Sequence, residues 1–290
     1  MQKDKFGLTW ITEREFYDKK SRSDLLNREL KKYSASINKA IDLGCGTGAF
    51  LRWCIAQELF FHEVKLIDYD QRLLNSVYTN FKIFLKGTSY ILKKLNSRKY
   101  LITNSSSLKE MTIASFKKNI LNSLEEINEH DLVSLSALSD LLSKNLIRKL
   151  FSKIAQNKYI YFSLCFNGKI KWSPTNEFDK YMENNFNKHQ LQDKGFGIAL
   201  GKNSPEYIEL TAKKKSYTCM KKDSSWRIGS TTERDKLFQK RYLKIMLNTL
   251  KKDTITDKNI LKSWYLKRMQ KIKLTSSKLV VGHSDIIIKT

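Results

Sequence analysis

Cysteine and histidine are scarce in this sequence, and neither is spaced as in a metal site or a disulfide framework. Only four of the 290 residues are cysteine and four are histidine. No C-x-x-C pair occurs, and the histidines show no metal-ligand spacing. Scattered cysteines of this kind are typical of a reducing compartment. We therefore expect no metal, no disulfide framework and a cytoplasmic protein.

Long apolar runs are also missing. No stretch approaches the roughly 20 residues that cross a bilayer, and no apolar segment follows the polar residues 1–5 as it would in a secretory signal. We expect neither a membrane span nor a signal peptide. The hydrophobic fraction of 41% is nevertheless enough for a buried core in one large domain or two small ones.

Acidic residues are few beside basic ones, with 29 Asp and Glu against 54 Lys and Arg and a net charge of +25. Such an excess is compatible with an RNA partner held through its phosphates. However, most of it is lysine spread along the whole chain, and abundant Asn, Ile and Lys are typical of a low-GC coding bias. We favour dispersed surface charge and keep a nucleic-acid face as the alternative.

Residues 40–50 predict a ligand-binding turn. An apolar run at 40–43 predicts a buried strand, and the pattern at 49–55 predicts a helix. Between them, glycines allow a sharp turn and let a ligand touch the backbone. The free N–H groups at the start of the helix attract an anion. An ordinary turn would not need three glycines in five residues.

The segment Asp42–Gly48, D-L-G-C-G-T-G, resembles the nucleotide loop of class I S-adenosylmethionine (SAM)-dependent methyltransferases. The resemblance implies a three-layer, Rossmann-like α/β fold with a mainly parallel seven-stranded sheet, whose last strand is antiparallel. It also implies methyl transfer from SAM without a metal. The loop residues expected to contact SAM are Asp42, Gly44, Cys45, Gly46 and Gly48.

Other SAM contacts are expected where predicted strands end. The run 64–68 predicts a strand, and Asp68 follows Gly48 by about twenty residues, the offset of a ribose-binding carboxylate. Tyr69 is a candidate for packing on the adenine. The resemblance places Asn119 at the adenine amino group, where an acid is more common, and a simple turn asparagine is the alternative. Ser136 ends a strand predicted within 130–138 and would lie beneath the sulfonium.

The pattern at 12–33 predicts one amphipathic helix that begins with a capping box of Thr12 and Glu15. In the family such a helix lies over the cofactor, so Tyr17 and Arg22 are candidates for contact with the methionine carboxylate. A solvated helix face is the alternative. Further along, we expect helices at 73–95, 141–154 and 205–215 and a strand at 159–166 that ends in an Asn167-Gly168 hairpin turn.

The segment 186–201 collects polar side chains and glycines, which we interpret as a loop that closes on a polar small molecule. His189 and Asp193 are the candidate general bases if the nucleophile must lose a proton. The candidate acceptor ligands are Asn187, Gln190, Lys194 and Arg227. For Arg227, a structural salt bridge is the alternative.

The same segment, with W-R-I-G at 226–229 and G-H-S-D at 282–285, resembles a bacterial group of class I methyltransferases over most of the chain. We expect one methyltransferase domain: an N-terminal helix in 1–35, a cofactor-binding core in 36–166 and an acceptor-site half in 167–290. Segment 168–202 and helices within 231–272 would cap the acceptor site, and the last strand is expected at 278–288.

The favoured function is methyl transfer to a polar small molecule. The alternatives are an RNA or protein methyltransferase that uses the basic surface, and a SAM-binding protein without catalysis. No N-P-P-Y-like motif of the enzymes that methylate base amino groups is present, which counts against RNA.

Overall fold

The computed structural model describes residues 7–274 and 276–290. Residues 1–5, on which the expectation of no signal peptide depends, lie outside them. The helices are α1 (Leu8–Ser21), α2 (Asp24–Tyr33), α3 (Ala49–Ala56), α4 (Gln71–Leu85), α5 (Lys144–Lys153), α6 (Asp179–Gln190), α7 (Ser204–Lys214), α8 (Glu233–Lys252) and α9 (Lys258–Lys273). The strands are β1 (Lys39–Leu43), β2 (Glu63–Asp68), β3 (Tyr90–Lys94), β4 (Lys99–Asn104), β5 (Glu110–Lys117), β6 (Leu132–Ser136), β7 (Tyr159–Ser173), β8 (Thr218–Asp223), β9 (Trp226–Ile228) and β10 (Lys278–Lys289).

All strands join one sheet in the order β3-β4-β5-β2-β1-β6-β7-β10-β8, and β9 pairs with β10. The five central strands, from β5 to β7, are parallel to one another. The last strand, β10, is antiparallel to both β7 and β8. The expected α/β fold and its antiparallel last strand are therefore confirmed, with the β3–β4 hairpin and β9 as additions to the seven strands.

Apolar side chains cover both faces of the sheet. Helices α2, α3 and α4 pack on one face through residues such as Leu26, Leu51 and Val77. Helices α5 and α7 pack on the other face, through residues such as Leu146 and Ile208. The parallel strands are consequently buried on both sides, as their nearly continuous apolar sequences require.

A third apolar cluster forms beyond the carboxyl ends of the parallel strands. It joins α1, α6, α8 and α9 to the C-terminal half of β7 and the N-terminal half of β10. The helices predicted within 231–272 are present as α8 and α9, and both contribute buried residues to this cluster, including Leu243 and Trp264. Pro205 lies in the first turn of α7, as predicted.

Two predicted helices are wrong in their extent. The helix predicted at 12–33 is two helices, because the chain is extended at Arg22 and Ser23 caps α2 by accepting a hydrogen bond from the Leu26 N–H. Thr12 lies inside α1 and does not cap it. The helix predicted at 73–95 ends at Leu85, and β3 follows it.

Two further expectations are corrected in the second half. Residues 186–190 belong to helix α6, whose buried Met182 and Phe186 are four residues apart on one helix face. No hairpin turn forms at Asn167-Gly168, because β7 continues to Ser173 and pairs with β10 beyond that point. Gly168 adopts a left-handed φ of 86° within the strand.

Candidate functional site

The glycine loop turns at the carboxyl end of β1. Gly44, Gly46 and Gly48 have φ angles of 75°, 56° and 82°, which favour glycine over residues with a Cβ. The N–H groups of Gly44 and Cys45 both donate to the carbonyl of Ile67, at 2.8 and 2.9 Å. These two hydrogen bonds hold the loop against the carboxyl end of the neighbouring strand, β2.

Asp68, the last residue of β2, faces this loop. Its Oδ2 accepts a hydrogen bond from the Gly46 N–H at 2.8 Å, and its Oδ1 accepts one from the Asp70 N–H at 2.7 Å. Burial raises the pKa of the carboxyl, although these N–H donors oppose the shift. The predicted pair of glycine loop and strand-end acid is thus in direct contact.

Asp42 lies beneath the loop and is buried. Its Oδ1 accepts a hydrogen bond of 2.6 Å from Ser134 Oγ on β6. Its Oδ2 is also buried but has no hydrogen-bond partner in the described structure. Burial raises the pKa of Asp42 to about 7, while Ser134 and the charge of Arg22 oppose the shift. A buried carboxylate oxygen of this kind can accept a hydrogen bond from a cationic ligand group.

Arg22, between α1 and α2, is only 7% exposed. Its guanidinium lies over the rings of Phe50 and Trp53, 5.4 and 4.8 Å from their centroids. Nη2 donates to Ser136 Oγ at 3.0 Å, whereas Nε and Nη1 are buried without a partner in the described structure. Burial disfavours the cation, but the nearby Tyr161 and Asp285 raise the pKa of Arg22, so it stays charged. Two buried nitrogens of a cationic group therefore lack hydrogen-bond partners between the end of β6 and the helix that follows the glycine loop.

The other expected cofactor residues lie at the same edge of the sheet. Tyr69 follows β2 and is 52% exposed. Asn119 follows β5 and accepts a hydrogen bond from the Leu121 N–H, as the cap of a short helical turn. Ser136 ends β6 and accepts a second hydrogen bond, of 3.0 Å, from Ser163 Oγ. Cys45 is buried in the loop.

The expected acceptor residues of segment 187–194 lie in two places. Asn187 and His189 are on α6, and Gln190 is its last residue. The amide of Asn187 donates to the carbonyl of Gly168 at 2.8 Å. Lys194 Nζ lies 3.3 Å from His189 Nδ1. Asp193 is exposed, and its Oδ1 accepts hydrogen bonds from Gly195 and Gly197 N–H at 2.6 and 3.0 Å.

Arg227 is not brought to this group. It is exposed on β9 and pairs with Asp223 at 2.9 Å. Its neighbour Trp226 is buried and points to the opposite face of the strand, where its Nε1 donates to Asp18 Oδ1 at 3.0 Å. The alternating pattern of β9 is the signal by which the sequence distinguishes these two side chains.

Asp140 was not anticipated from the sequence. It follows β6 in a short helical turn, and burial raises its pKa to about 6 while the charges of Arg14 and Lys194 oppose the shift. Burial raises the pKa of Tyr242 on α8, and the charge of Asp140 adds to this shift while that of Arg14 opposes it. The end of β6, helix α1, the loop after α6 and helix α8 thus contribute charged or polar groups to one region. The sequence signal that could have indicated Asp140 is its position just beyond a predicted central strand.

A buried polar group lies beside Arg22. The Tyr161 hydroxyl donates to Asp285 Oδ2 at 2.8 Å, and the Leu164 N–H donates to Oδ1 at 2.7 Å. His283 is two residues from Asp285, and its ring contacts that of Trp226 in a tilted arrangement, with centroids 4.6 Å apart and planes at 52°. Burial lowers the pKa of His283 to about 3, so this imidazole is neutral.

None of the described helices is both long and apolar enough to cross a membrane. Within residues 7–274 and 276–290, no three His, Cys, Asp or Glu side chains are arranged to hold a metal ion.

Comparison with known proteins finds neither a matching family model nor a matching curated protein. Among solved structures, the chain is similar to the YcgJ protein of Bacillus subtilis at a TM-score of 0.45 and 9% identity, over 87% of this chain and 92% of that one. For a SAM-dependent methyltransferase from Thiobacillus denitrificans, in complex with S-adenosyl-L-homocysteine, the TM-score is 0.43 and the identity 9%, over 98% of this chain and 99% of that one. For the cyclopropane synthase MmaA2 of Mycobacterium tuberculosis, the TM-score is 0.41 and the identity 10%, over 91% of this chain and 83% of that one. At these identities and TM-scores, the assignment of a function depends on the site residues themselves.

Proposed function

We propose that this protein is a SAM-dependent methyltransferase that transfers a methyl group to a polar small molecule. In this proposal residues 1–290 form one domain, with the cofactor at the glycine loop. The cap built by α6, α8 and α9 covers the acceptor. The four cysteines are all unpaired, which supports a cytoplasmic enzyme.

The observation that carries the proposal is the pair of unsatisfied groups around the loop. Arg22 presents two buried donors without partners, and Asp42 presents a buried acceptor oxygen without one. The charge of Arg22 lowers the pKa of Asp42, so the two groups lie within electrostatic reach of each other. A buried cation and a buried carboxylate are complementary in charge to the carboxylate and ammonium of an α-amino acid. The methionine end of SAM carries both groups.

The remaining cofactor assignments extend from this point. Gly44, Gly46 and Gly48 would hold the methionine portion. At Gly46 there is room beside the backbone, since a Cβ there would have nothing closer than Ile11 Cγ2 at 4.0 Å. Asp68 would accept hydrogen bonds from the ribose hydroxyls. Tyr69 and Asn119 would contact the adenine, and Ser136 would lie beneath the sulfur.

SAM supplies an activated methyl group whose leaving group is a neutral thioether. The protein's part is therefore to hold the acceptor in line at ~3 Å from the methyl carbon and to exclude water. An acceptor that must lose a proton requires a base. The candidates are His189, Asp193 and Asp140, of which Asp140 has a pKa of about 6, in the range that suits a base near neutral pH.

The groups at the cap support a polar acceptor. Arg14, Asp140 and Lys194 interact electrostatically beyond the end of β6, and Asn187 and Gln190 lie on the adjoining α6. Both signs of charge in one region favour a small acceptor with polar or ionised groups of both signs. Arg227, which lies on the outer side of β9, would contact only an acceptor that extends beyond this region.

A second candidate, an RNA methyltransferase, is favoured by the net charge of +25. It predicts a steep fall of activity with salt, because each phosphate contact releases a counterion. A small-molecule enzyme would show little salt dependence. A protein that binds SAM without methyl transfer is the third outcome.

Calorimetry of SAM binding to the wild type and to Asp68→Ala tests the cofactor, and a metabolite screen with methyl-labelled SAM tests the acceptor. Micromolar binding that Asp68→Ala weakens about tenfold or more supports the proposal. Absence of binding by a folded wild type contradicts it. Normal SAM binding with no labelled product from metabolites or RNA favours the non-catalytic protein.

A further inference from the structure

We propose that a cavity between helix α4 and strands β3–β5 is a binding site for a phosphate group, separate from the SAM site. The cavity has a volume of about 260 Å³. Three basic residues line it, namely Lys94 at the end of β3, Arg98 in the turn to β4, and Lys117 at the end of β5. We call it the cationic pocket.

The cavity exists because the apolar pattern of β5 stops before the strand does. Met111 and Ile113 point toward α4 and are completely buried. The next residues on that face are Ser115 and Lys117. Opposite them, the face of α4 changes from Leu74 to the polar Asn75 and Gln71. Helix and sheet therefore pack closely at one end and leave a polar space at the other.

The charge of this space has a single sign. Of the described residues that line the cavity, none is acidic, and Lys94, Arg98 and Lys117 form no ion pair with any described residue. Lys94, Arg98 and Lys117 are exposed, so water and salt screen their mutual repulsion without removing it. An anion bound between them would replace this repulsion by attraction.

The Arg98 backbone and the Lys94 side chain both contact the walls of the cavity. The Arg98 N–H donates to Asn96 Oδ1 at 2.9 Å, and its carbonyl accepts hydrogen bonds from the N–H and hydroxyl of Ser115 at 2.9 and 3.4 Å. Lys94 Nζ lies 5.5 Å from the centroid of the Tyr78 ring.

The size and chemistry favour phosphate. A volume of 260 Å³ is below the roughly 300 Å³ at which pockets for drug-sized molecules begin. A planar guanidinium binds phosphate through two parallel hydrogen bonds, and two ammonium groups match its remaining charge. The ligand is a free phosphate ester or a phosphodiester of RNA. Lys117 pairs in register with Asp68, so the pocket opens at the edge of the sheet that also carries the proposed SAM site.

Calorimetry with pyrophosphate, and separately with a short single-stranded oligoribonucleotide, tests this inference on the full chain. The test variant is Arg98→Gln with Lys117→Gln. The matched control is Lys244→Gln with Lys262→Gln, which removes two exposed charges from α8 and α9. We expect saturable binding by the wild type, a loss of about tenfold or more in the test variant and less than about twofold in the control.

If only pyrophosphate binding responds to the test variant, the ligand is a free phosphate ester. If the test variant also weakens oligoribonucleotide binding, the ligand is RNA. Equal losses in the two variants would show diffuse charge attraction and overturn the proposal, as would the absence of saturable binding of both probes. SAM binding by the test variant should stay unchanged, so this outcome is independent of the proposed methyl transfer.

Discussion

The guanidinium of Arg22 donates a 3.0 Å hydrogen bond to Ser136 Oγ, which joins the break between α1 and α2 to the carboxyl end of β6. Residues 114 positions apart in the sequence thereby form one wall of the proposed cofactor site. The contact uses one of the three guanidinium nitrogens. The other two, buried and without partners in the described structure, are the basis of the first prediction.

Arg22→Gln should weaken SAM binding by about ten- to hundredfold, because a charge-assisted pair of hydrogen bonds to a carboxylate is lost. Calorimetry measures the change. Arg148→Gln, on the exposed side of α5, removes the same charge and should leave the affinity within about twofold. If Arg22→Gln weakens the binding of S-adenosyl compounds that lack the carboxylate by the same factor, Arg22 supports the fold and does not contact the carboxylate.

SAM binding should strengthen as the pH rises from 5.5 to 7.5. The pKa of Asp42 is raised to about 7 by burial, and only its ionised form can pair with an ammonium group, so the affinity should increase about 25-fold over this range. Arg22 and Asp68 also face Asp42. In Asp42→Asn the pH dependence should largely vanish, and any that remains belongs to Asp68.

The raised pKa of Asp42 also makes the stability of the protein without ligand depend on pH. A raised pKa means that the folded state binds the proton more tightly than the unfolded state does. The favourable contribution is complete below pH 3.8 and is lost as the pH rises through about 7. Asp42→Asn should therefore raise the melting temperature at pH 8 and change it little at pH 4.

Gly46→Ala and Gly48→Ala should separate ligand binding from stability. Both positions have positive φ, which costs an alanine about 1–2 kcal/mol. At Gly48 the new Cβ would also lie 3.1 Å from the Phe81 ring, whereas at Gly46 its nearest neighbour would be Ile11 Cγ2 at 4.0 Å. Gly48→Ala should lower the free energy of unfolding more, and Gly46→Ala should weaken SAM binding more. The reverse order would place the ligand elsewhere.

Much of the cofactor half could be predicted because its determinants are local in sequence. The run 40–50 contains the strand, the left-handed glycines and the helix start within eleven consecutive residues. Asp68 follows by a spacing that the βαβ unit itself imposes. The contact between Gly46 and Asp68 is therefore one that periodicity and spacing can predict.

The acceptor half was predicted less well because its contacts join distant segments. Segment 186–201 has the composition of a loop, yet its first residues continue α6, since Phe186 is buried against the extension of β7. No local signal reports that β7 passes through Asn167-Gly168, because this depends on pairing with β10 more than a hundred residues later. Asp140 was missed for a similar reason, since its environment comes from α1, α8 and the loop after α6.

Asp140→Asn tests which group acts as the base. If Asp140 removes a proton from the acceptor, methyl transfer to the acceptor found in the screen should fall about a hundredfold while SAM affinity stays within twofold. His189→Gln and Asp193→Asn are parallel variants, and Asn at 193 keeps the Oδ1 that the loop N–H groups use. A pH–rate profile that loses a limb near pH 6 only in Asp140→Asn identifies the residue. An unchanged rate would show that Asp140 is not the base and has a structural role.

The ion pair of Glu15 with Arg52 should hold α1 on the glycine loop. Arg52 is 2% exposed; it donates to Glu15 Oε1 at 3.0 Å and to the carbonyl of Thr47 at 2.6 Å. Burial would raise the pKa of Glu15, but Arg52 outweighs it and lowers the pKa below 4.5. The pair therefore contributes stability above that pH and loses it as the pH falls through the lowered pKa.

Glu15→Gln would leave the Arg52 charge buried without its partner, and we expect a loss of about 3 kcal/mol in urea unfolding at pH 7. Adding Arg52→Met removes the buried charge, so the double variant should recover part of that loss. Lys32→Gln is a matched control, since its partner Glu29 lies in an exposed pair on α2 that should contribute less than about 1 kcal/mol. If Glu15→Gln destabilises no more than this control, α1 is held by its apolar contacts through Trp10 and Tyr17 instead.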